Sequence, residues 1–180
     1  MKVILQTPRL ILREYTEADA EDFLRLNSDP EVMRYVPDQP MKTIEEARGV
    51  LVSRPMVDYR ERGFGRYACI LKSSGEHIGF CGLKYLKEID DIDLGFRFLP
   101  AHWGMGFATE AASACVDYGF EKLALNKILG FAEPENHASI RVLEKVGMKF
   151  VDVVRLFDCD MRRYLIRRES AWSDRSDMSD

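Results

Sequence analysis

The sequence is poor in the residues that build metal sites and disulfide frameworks. It contains 4 cysteines and 3 histidines among 180 residues. The cysteines form no Cys-x-x-Cys pair, and the histidines share no metal-ligand spacing. We therefore predict that no metal is bound and that the cysteines are reduced packing residues, as in a cytosolic protein. They are Cys69, Cys81, Cys115 and Cys159.

The chain also lacks long apolar runs and an excess of basic charge. No stretch is long enough for a membrane span, and no charged and then apolar leader is present. Its 26 basic and 30 acidic residues give a formal net charge of −4, which would repel nucleic acid. These absences predict a cytoplasmic protein whose partners are neither membranes nor nucleic acids. Its length suits one domain.

The most informative stretch is Ala101–Ala111, which reads Ala-His-Trp-Gly-Met-Gly-Phe-Ala-Thr-Glu-Ala. It lies between a predicted strand, Asp93–Leu99, and a predicted helix, Phe107–Leu123. A Gly-x-Gly turn before a helix leaves backbone N–H groups free, and Gly104 and Gly106 let a pyrophosphate come close to the backbone. The helix dipole adds to this attraction. We predict a phosphate site here, and an ordinary turn marked by two glycines is the alternative.

A dinucleotide-binding fingerprint would be a different explanation of the same glycines. Its third glycine position is occupied by Thr109, and the loop lies beyond the middle of the chain. The acidic residue expected about 20 positions later would fall near Glu133, where a strand ends. The pattern therefore favours a phosphate ligand without a Rossmann fold.

A second motif follows the predicted strand Lys127–Glu133. Asn136 can cap a helix that extends to about Val146, and Gly147 can supply its left-handed stop. Together with Ala101–Thr109, this segment closely resembles the GNAT superfamily of acetyl-CoA-dependent N-acetyltransferases. The resemblance implies acetyl-CoA as the acyl donor and coenzyme A as the product.

Two further stretches resemble the branch that includes the ribosomal-protein N-terminal acetyltransferases. One is Thr7-Pro-Arg-Leu-Ile-Leu-Arg-Glu, and the other is Asn27-Ser-Asp-Pro-Glu-Val-Met-Arg-Tyr35. The resemblance covers residues 7 to about 166. It implies one α+β domain over residues 1–168, with a mixed, mostly antiparallel, twisted sheet, flanking helices and splayed central strands. The serine- and aspartate-rich residues 169–180 predict a mobile tail.

The resemblance also implies where the coenzyme binds. The central strand Asp93–Leu99 would be bulged near Gly95, and its alternation would turn the N–H groups of Phe96 and Phe98 toward the thioester arm. The expected coenzyme contacts are Phe96, Phe98, Trp103, Gly104, Met105, Gly106, Phe107, Ala108, Thr109, Asn136 and Ser139.

Two residues are candidates for proton transfer. Asp93 is the predicted base, because many relatives place a glutamate at a similar position on this strand, although a solvated charge is the alternative. Ser139 would lie near the sulfur as a proton donor, although a serine in the first helical turn is also an ordinary capping residue. Leu143 stands where many relatives carry a tyrosine acid, which puts a tyrosine mechanism in doubt.

The acceptor is predicted less sharply than the donor. In the superfamily, the loop between the first two helices borders the acceptor, so Tyr35, Val36 and Pro37 are expected contacts, with a packing role as the alternative. The branch favours a protein N-terminal α-amine, attacking directly in a ternary complex. A small amine (polyamine, amino acid or aminoglycoside) is the nearest alternative, and a non-catalytic acetyl-CoA-binding module is another. A homodimer is common in the superfamily, but the surface pattern does not decide the oligomeric state.

The remaining elements follow from local patterns. Val3–Glu14 alternates loosely and predicts one strand. Thr43 opens a capping box and a helix to about Arg62, which Pro55 should kink or divide. The other predicted strands are Arg66–Leu71, His77–Leu86, Ile89–Phe98, Lys149–Leu156 and Met161–Arg167, the last two joined by a turn at Asp158–Asp160.

Overall fold

The computed structural model describes residues 2–169, and an eight-stranded sheet organises them. The strands are β1 (Val3–Gln6), β2 (Leu10–Arg13), β3 (Arg66–Leu71), β4 (His77–Leu86), β5 (Asp91–Phe98), β6 (Lys127–Ala132), β7 (Lys149–Leu156) and β8 (Cys159–Arg167). The helices are α1 (Ala20–Ser28), α2 (Pro30–Met33), α3 (Ile44–Ser53), α4 (Pro55–Arg62), α5 (Phe107–Glu121) and α6 (His137–Lys145). The strand order is β1-β2-β3-β4-β5-β6-β8-β7.

The sheet parts in its middle, between β5 and β6. These two strands are parallel, whereas the other six neighbouring pairs are antiparallel. They share only the pairs Asp93–Leu129 and Leu94–Gly130. Beyond Leu94, β5 continues to Phe98 beside β4 alone. The predicted splayed central strands are therefore confirmed, and a gap opens between them. The bulge expected near Gly95 is absent from the β4–β5 pairing, because the register passes through Gly95 without a shift.

Hydrophobic packing covers both faces of the sheet. On one face, α5 and α6 bury side chains that alternate along the strands, and on the other face α1 and α3 do so. The first core includes Leu83, Leu94, Phe98, Phe107, Val116, Phe120, Ile128 and Leu143. The second includes Tyr15, Phe23, Leu26, Leu51, Ala68, Phe80 and Leu99. Each large side chain so buried contributes about 1.5–3 kcal/mol, which fixes the strands on either side of the gap.

The N-terminal segment departs from the prediction. Val3–Glu14 is not one strand but the pair β1 and β2, joined by a turn at residues 7–9. The Thr7 N–H group donates to the Leu10 carbonyl oxygen at 3.0 Å, and Pro8 has no N–H group to continue a ladder. This turn directs the chain back before it pairs with β3.

The segment before β3 contains one helix that was not predicted and one division that was. Asp29 accepts hydrogen bonds from the N–H groups of Glu31 and Val32 at 2.9 and 3.2 Å, and so begins α2, which the sequence did not reveal. The predicted division at Pro55 is confirmed, because α3 ends at Ser53 and α4 begins at Pro55.

The second half agrees closely with the predicted elements. The closing turn differs, since it lies at Phe157–Asp158, where φ is +52° and +60°, so that Cys159 already belongs to β8.

The cysteines are free thiols, and Cys69, Cys81 and Cys115 are buried as predicted. The tail prediction concerns residues of which all but Glu169 lie outside the described range. Within residues 2–169, no helix combines the length and apolar character that crossing a membrane requires.

Candidate active site

A cleft of about 1280 Å³ opens where β5 and β6 part. We call one end of it the donor half; it is lined by Trp103, Gly104, Gly106, Phe107, Ala108, Thr109, Asn136, Ser139, Val142 and Lys145. We call the other end the acceptor half; it is lined by Tyr35, Val36, Asp38, Arg54, Asp58, Arg62, Arg66 and Lys84. Asp93, Phe96 and Phe98 on β5 lie between the two halves. The cleft thus brings together every predicted site residue except Met105.

The loop before α5 has the backbone geometry of an anion cradle. Gly104 and Gly106 have φ values of +73° and +82°, in the region that favours glycine. A Cβ atom added to Gly104 would meet no atom within 4 Å, so open space lies beside that backbone. The first helical bond runs from the Glu110 N–H group to the Gly106 carbonyl oxygen at 3.0 Å. The N–H groups of residues 107–109 therefore have no partner inside the helix, and they fit a pyrophosphate.

The backbone of β5 faces the cleft with alternate peptide groups. The Leu99 N–H group donates to the Ile78 carbonyl oxygen at 2.9 Å, in register with the β4–β5 ladder. Because N–H groups alternate in direction along a strand, those of Phe96 and Phe98 point away from β4. They face the gap, where β5 has no pairing with β6. The Trp103 indole Nε1 donates to the Phe98 carbonyl oxygen at 2.6 Å from the same side. Phe96 and Phe98 thus present main-chain donors where the sequence predicts a thioester.

The helix α6 contributes a cap and a hydroxyl group to the donor half. The Asn136 Oδ1 atom accepts a hydrogen bond from the Ser139 N–H group at 3.1 Å. Ser139 is half-buried and lines the cleft. Leu143 does not line it, because this side chain is 1% exposed and packs on Gly130 with the buried face of α6. The cleft-facing position at this turn is Val142, so neither residue offers a tyrosine-like acid.

The aspartate on β5 is buried in an ion pair rather than solvated. Asp93 is 7% exposed, and the Arg66 Nη2 atom donates to its Oδ2 atom at 2.5 Å. Arg66 also donates to the carbonyl oxygens of Asp93 and Gly82. Burial raises the pKa of Asp93 above that of an ordinary aspartate, and the charge of Arg66 opposes this rise. The sequence did not reveal Arg66 as part of the site.

Gly95 explains why the arginine fits there. A Cβ atom at this position would lie 2.4 Å from the Arg66 Nη2 atom, so only glycine leaves room for the guanidinium group. Gly82 stands opposite Gly95 on β4, and its carbonyl oxygen accepts from the same group. Gly95 therefore leaves the slot that holds Arg66 against Asp93, and Gly82 contributes a carbonyl oxygen to it.

The acceptor half contains charged side chains that hold one another in ion pairs. Asp38 is bound by Arg97 at 3.2 Å and by Arg54 at 3.4 Å. Burial alone would raise the pKa of Asp38, but the two arginines more than offset this effect. The pKa is therefore below that of an ordinary aspartate, and the carboxylate is held in its charged form. Lys84 is half-buried near Asp58, and burial lowers the pKa of its amine.

The remaining predicted residues occupy different depths. Tyr35 and Val36 line the acceptor half, as does Pro37. Trp103 and Met105 are 48% and 55% exposed, and Phe107 is buried under the loop.

The described residues contain no group of three or more histidine, cysteine, aspartate or glutamate side chains that could hold a metal ion. The site therefore offers main-chain donors, a carboxylate and a hydroxyl group.

Known proteins share this architecture. Residues 9–149 match the acetyltransferase (GNAT) domain family. The chain is 35% identical to a Bacillus subtilis protein named uncharacterized N-acetyltransferase YoaA, over 86% of this chain and 87% of that protein. It is 30% identical to spermidine N(1)-acetyltransferase of Escherichia coli K12, over 76% of this chain and 70% of that protein. The crystal structure of a GNAT-family acetyltransferase from Bacillus anthracis matches with a TM-score of 0.77 at 28% identity, over 94% and 99% of the two chains.

Proposed function

The chain belongs to the acetyltransferase (GNAT) family, and from that premise we propose that it acetylates the N-terminal α-amine of a peptide or protein. That the reaction is an acetyl-CoA-dependent N-acetylation follows from the family and from the named N-acetyltransferases to which the chain is similar. The identity of the amine and the roles of the site residues are the proposal.

The donor half fits the coenzyme in two places. The free N–H groups at residues 107–109 and the open space beside Gly104 suit the pyrophosphate. The N–H groups of Phe96 and Phe98 suit the pantetheine arm and the acyl oxygen, whose developing charge they would stabilise. We assign Asn136 and Ser139 to the far side of that arm.

The chemistry requires little of the protein. Bound acetyl-CoA supplies a thioester, whose carbonyl carbon is the electrophile for the amine nitrogen. As the C–N bond forms and the C–S bond breaks, the amine loses a proton and the sulfur gains one. Asp93 is the base that the cleft offers for the first proton, and the ion pair with Arg66 uses only its Oδ2 atom in a side-chain contact. The Ser139 hydroxyl group is the proposed donor for the second.

The observation that favours a peptide is that two carboxylates of the cleft are already paired with arginines. Asp93 is paired with Arg66, and Asp38 is bound by Arg97 and Arg54. A polycation would meet these arginines, whereas an α-amine followed by peptide carbonyl groups brings one positive charge and several hydrogen-bond acceptors.

A polyamine acceptor is the second candidate. The observation in its favour is the 30% identity to a protein named spermidine N(1)-acetyltransferase. Asp58 supports it as well, because burial raises the pKa of this carboxyl group, and an added ammonium group would stabilise its charged form.

A matched set of acceptors distinguishes these candidates. We would measure thiol release from acetyl-CoA with a short peptide that has a free N terminus and one internal lysine, and with the same peptide blocked at its N terminus. Spermidine and an aminoglycoside would complete the set. We expect turnover of the free peptide alone. Fragmentation mass spectrometry should then find the acetyl group, an added mass of about 42 Da, on the α-amine.

Turnover of spermidine with no turnover of either peptide would contradict the peptide proposal and favour the polyamine. Equal turnover of the free and blocked peptides would show that the lysine side chain is the acceptor. The pKa of a lysine side chain is about 10.4, against about 8 for an α-amine, so less of the lysine is present as the free amine that attacks at neutral pH.

A further inference from the structure

A carboxylate stands in the first turn of the helix that we assign to the pyrophosphate. Glu110 is the fourth residue of α5, and its side chain is 16% exposed. A free carboxylate at this place would favour the helix dipole but repel a phosphate. Some other group must therefore hold its charge and direct it away from the cleft.

The turn between β1 and β2 holds the Glu110 carboxylate through three hydrogen bonds and the glycine loop through a fourth. The Thr7 hydroxyl group donates to the Glu110 Oε1 atom at 2.6 Å, and the Arg9 N–H group donates to the same oxygen at 2.9 Å. The Arg9 Nε atom donates to Oε2 at 2.6 Å. Its Nη1 atom donates to the Met105 carbonyl oxygen at 2.9 Å. One arginine thus joins the carboxylate to the glycine loop.

The contact with Met105 fixes the direction of a peptide group. In a trans peptide, the C=O and N–H bonds point in opposite directions. Because Arg9 holds the Met105 carbonyl oxygen, the Gly106 N–H group must point away from Arg9. The guanidinium group also lies over the Phe107 ring, 4.3 Å from its centroid, and so supports the loop from the side that does not face the cleft.

We infer that Arg9 is a positioning residue, which sets the glycine loop for the pyrophosphate through Met105 and Glu110 without touching the ligand. This inference rests on the assignment of residues 104–109 to the pyrophosphate. It gives a role to the Thr7-Pro-Arg9 segment, which is 101 positions from Glu110 at its closest contact and which the reaction itself does not use.

The test compares a ligand that has a pyrophosphate with one that lacks it. We would measure the Kd of coenzyme A and of pantetheine by calorimetry for the wild-type chain and for Arg9→Met, and the unfolding temperature of each protein without ligand. We expect Arg9→Met to weaken coenzyme A binding roughly tenfold and to leave pantetheine binding unchanged. In kinetics, the KM of acetyl-CoA should rise while kcat with saturating donor stays the same.

The matched control is Arg163→Met. Arg163 binds Asp152 through Nε and Nη2 at 2.9 and 2.5 Å, so it also forms a two-pronged arginine–carboxylate pair, but it does not line the cleft. If Arg9→Met does not fold, Arg9→Lys keeps the charge yet cannot span Glu110 and the Met105 carbonyl oxygen. It should show the same selective loss.

Three outcomes would overturn the inference. An unchanged coenzyme A affinity in Arg9→Met would show that the loop needs no support from Arg9. An equal loss for coenzyme A and pantetheine, with a lower unfolding temperature, would show a structural role only. A wild-type chain that binds coenzyme A no more tightly than pantetheine would instead contradict the assignment of the loop itself.

Discussion

At the scale of single residues, the proposed role of Asp93 as a base depends on its ion pair with Arg66. Its burial raises its pKa, and the Arg66 guanidinium group limits that rise. The arginine therefore favours the charged carboxylate, the form that a base needs, while burial leaves the pKa above that of a solvated aspartate. Asp93 and Arg66 act as one unit in this respect.

This pairing predicts a shift in the pH profile. Arg66→Met removes the group that lowers the pKa of Asp93, so the pKa rises and the acid limb of kcat/KM moves to higher pH. The measurement is kcat/KM for the acceptor between pH 5.5 and 8.5, well below the unfolding temperature of the variant. Asp93→Asn should lower kcat about 100-fold at all these pH values.

An acid limb that stays in place in Arg66→Met would show that Asp93 is not the titrating base. Arg163→Met serves again as the control, because its ion pair lies outside the cleft.

A second residue, His77, should control stability at acid pH. It is 3% exposed, its Nε2 atom lies 2.8 Å from the Tyr15 hydroxyl oxygen, and burial lowers its pKa from 6.5 to about 4. The folded state thus favours the neutral ring, so the stability this gives is present above pH 6.5 and is lost as the pH falls toward 4. The expected loss at pH 5 is about 2 kcal/mol, measured as the free energy of unfolding in urea.

His77→Gln removes this titration but keeps a hydrogen-bonding side chain. The difference in unfolding free energy between pH 7 and pH 5 should be smaller in the variant by about the same 2 kcal/mol. An identical pH dependence in both proteins would assign the acid sensitivity to other groups.

At the scale of elements, we propose that the glycine loop and the first turn of α5 form one binding unit for the pyrophosphate. Gly104 and Gly75 provide a matched pair for testing it, because both have a φ of +73° and neither has an atom within 4 Å of an added Cβ. Alanine at either position meets the same backbone strain, about 1–2 kcal/mol. Only Gly104→Ala places a methyl group beside the pyrophosphate.

We therefore expect equal falls in unfolding temperature for Gly104→Ala and Gly75→Ala, and a roughly tenfold weaker coenzyme A affinity for Gly104→Ala alone. Calorimetry measures the affinity. If both variants bind coenzyme A as the wild type does, the loop does not receive the pyrophosphate.

The elements that the sequence predicts well are those with local signals at both ends. The Asn136 cap and the Gly147 stop delimit α6, and Ser-Ser-Gly75 marks the β3–β4 hairpin. The loose alternation of residues 3–14 gave no position for the turn, because three consecutive apolar residues stand on each side of it.

The contacts that complete the site had no such signal. Arg66 and Asp93 are 27 positions apart, and Arg9 and Glu110 are 101 apart. Their pairing is fixed by strand order and register, which no local pattern encodes. The sequence could place Asp93 on its strand and the glycines in their loop, but it could not show which arginine each carboxylate binds.

At the scale of the whole molecule, the donor should stabilise the entire fold. The proposed coenzyme site is formed by β5, α5 and α6, which also bury the larger core, so binding there should oppose global unfolding. Acetyl-CoA at 100 times its Kd stabilises by about 2.7 kcal/mol, or roughly 5–11 °C for a domain of this size. Differential scanning fluorimetry with acetyl-CoA, NAD and ATP measures this shift, and equal shifts with all three would point to a general phosphate site.

The parting of β5 and β6 gives the protein two sheet edges in its interior. Edge strands with free N–H and C=O groups usually recruit strands from other molecules, and most sheet proteins cover or charge them to avoid aggregation. Here the two edges line the cleft beside the glycine loop and α6 rather than the outer border of the sheet. We propose that the slender, amide-bearing arm of the acyl donor pairs with these edges, so that the donor itself acts as a substitute strand in the gap.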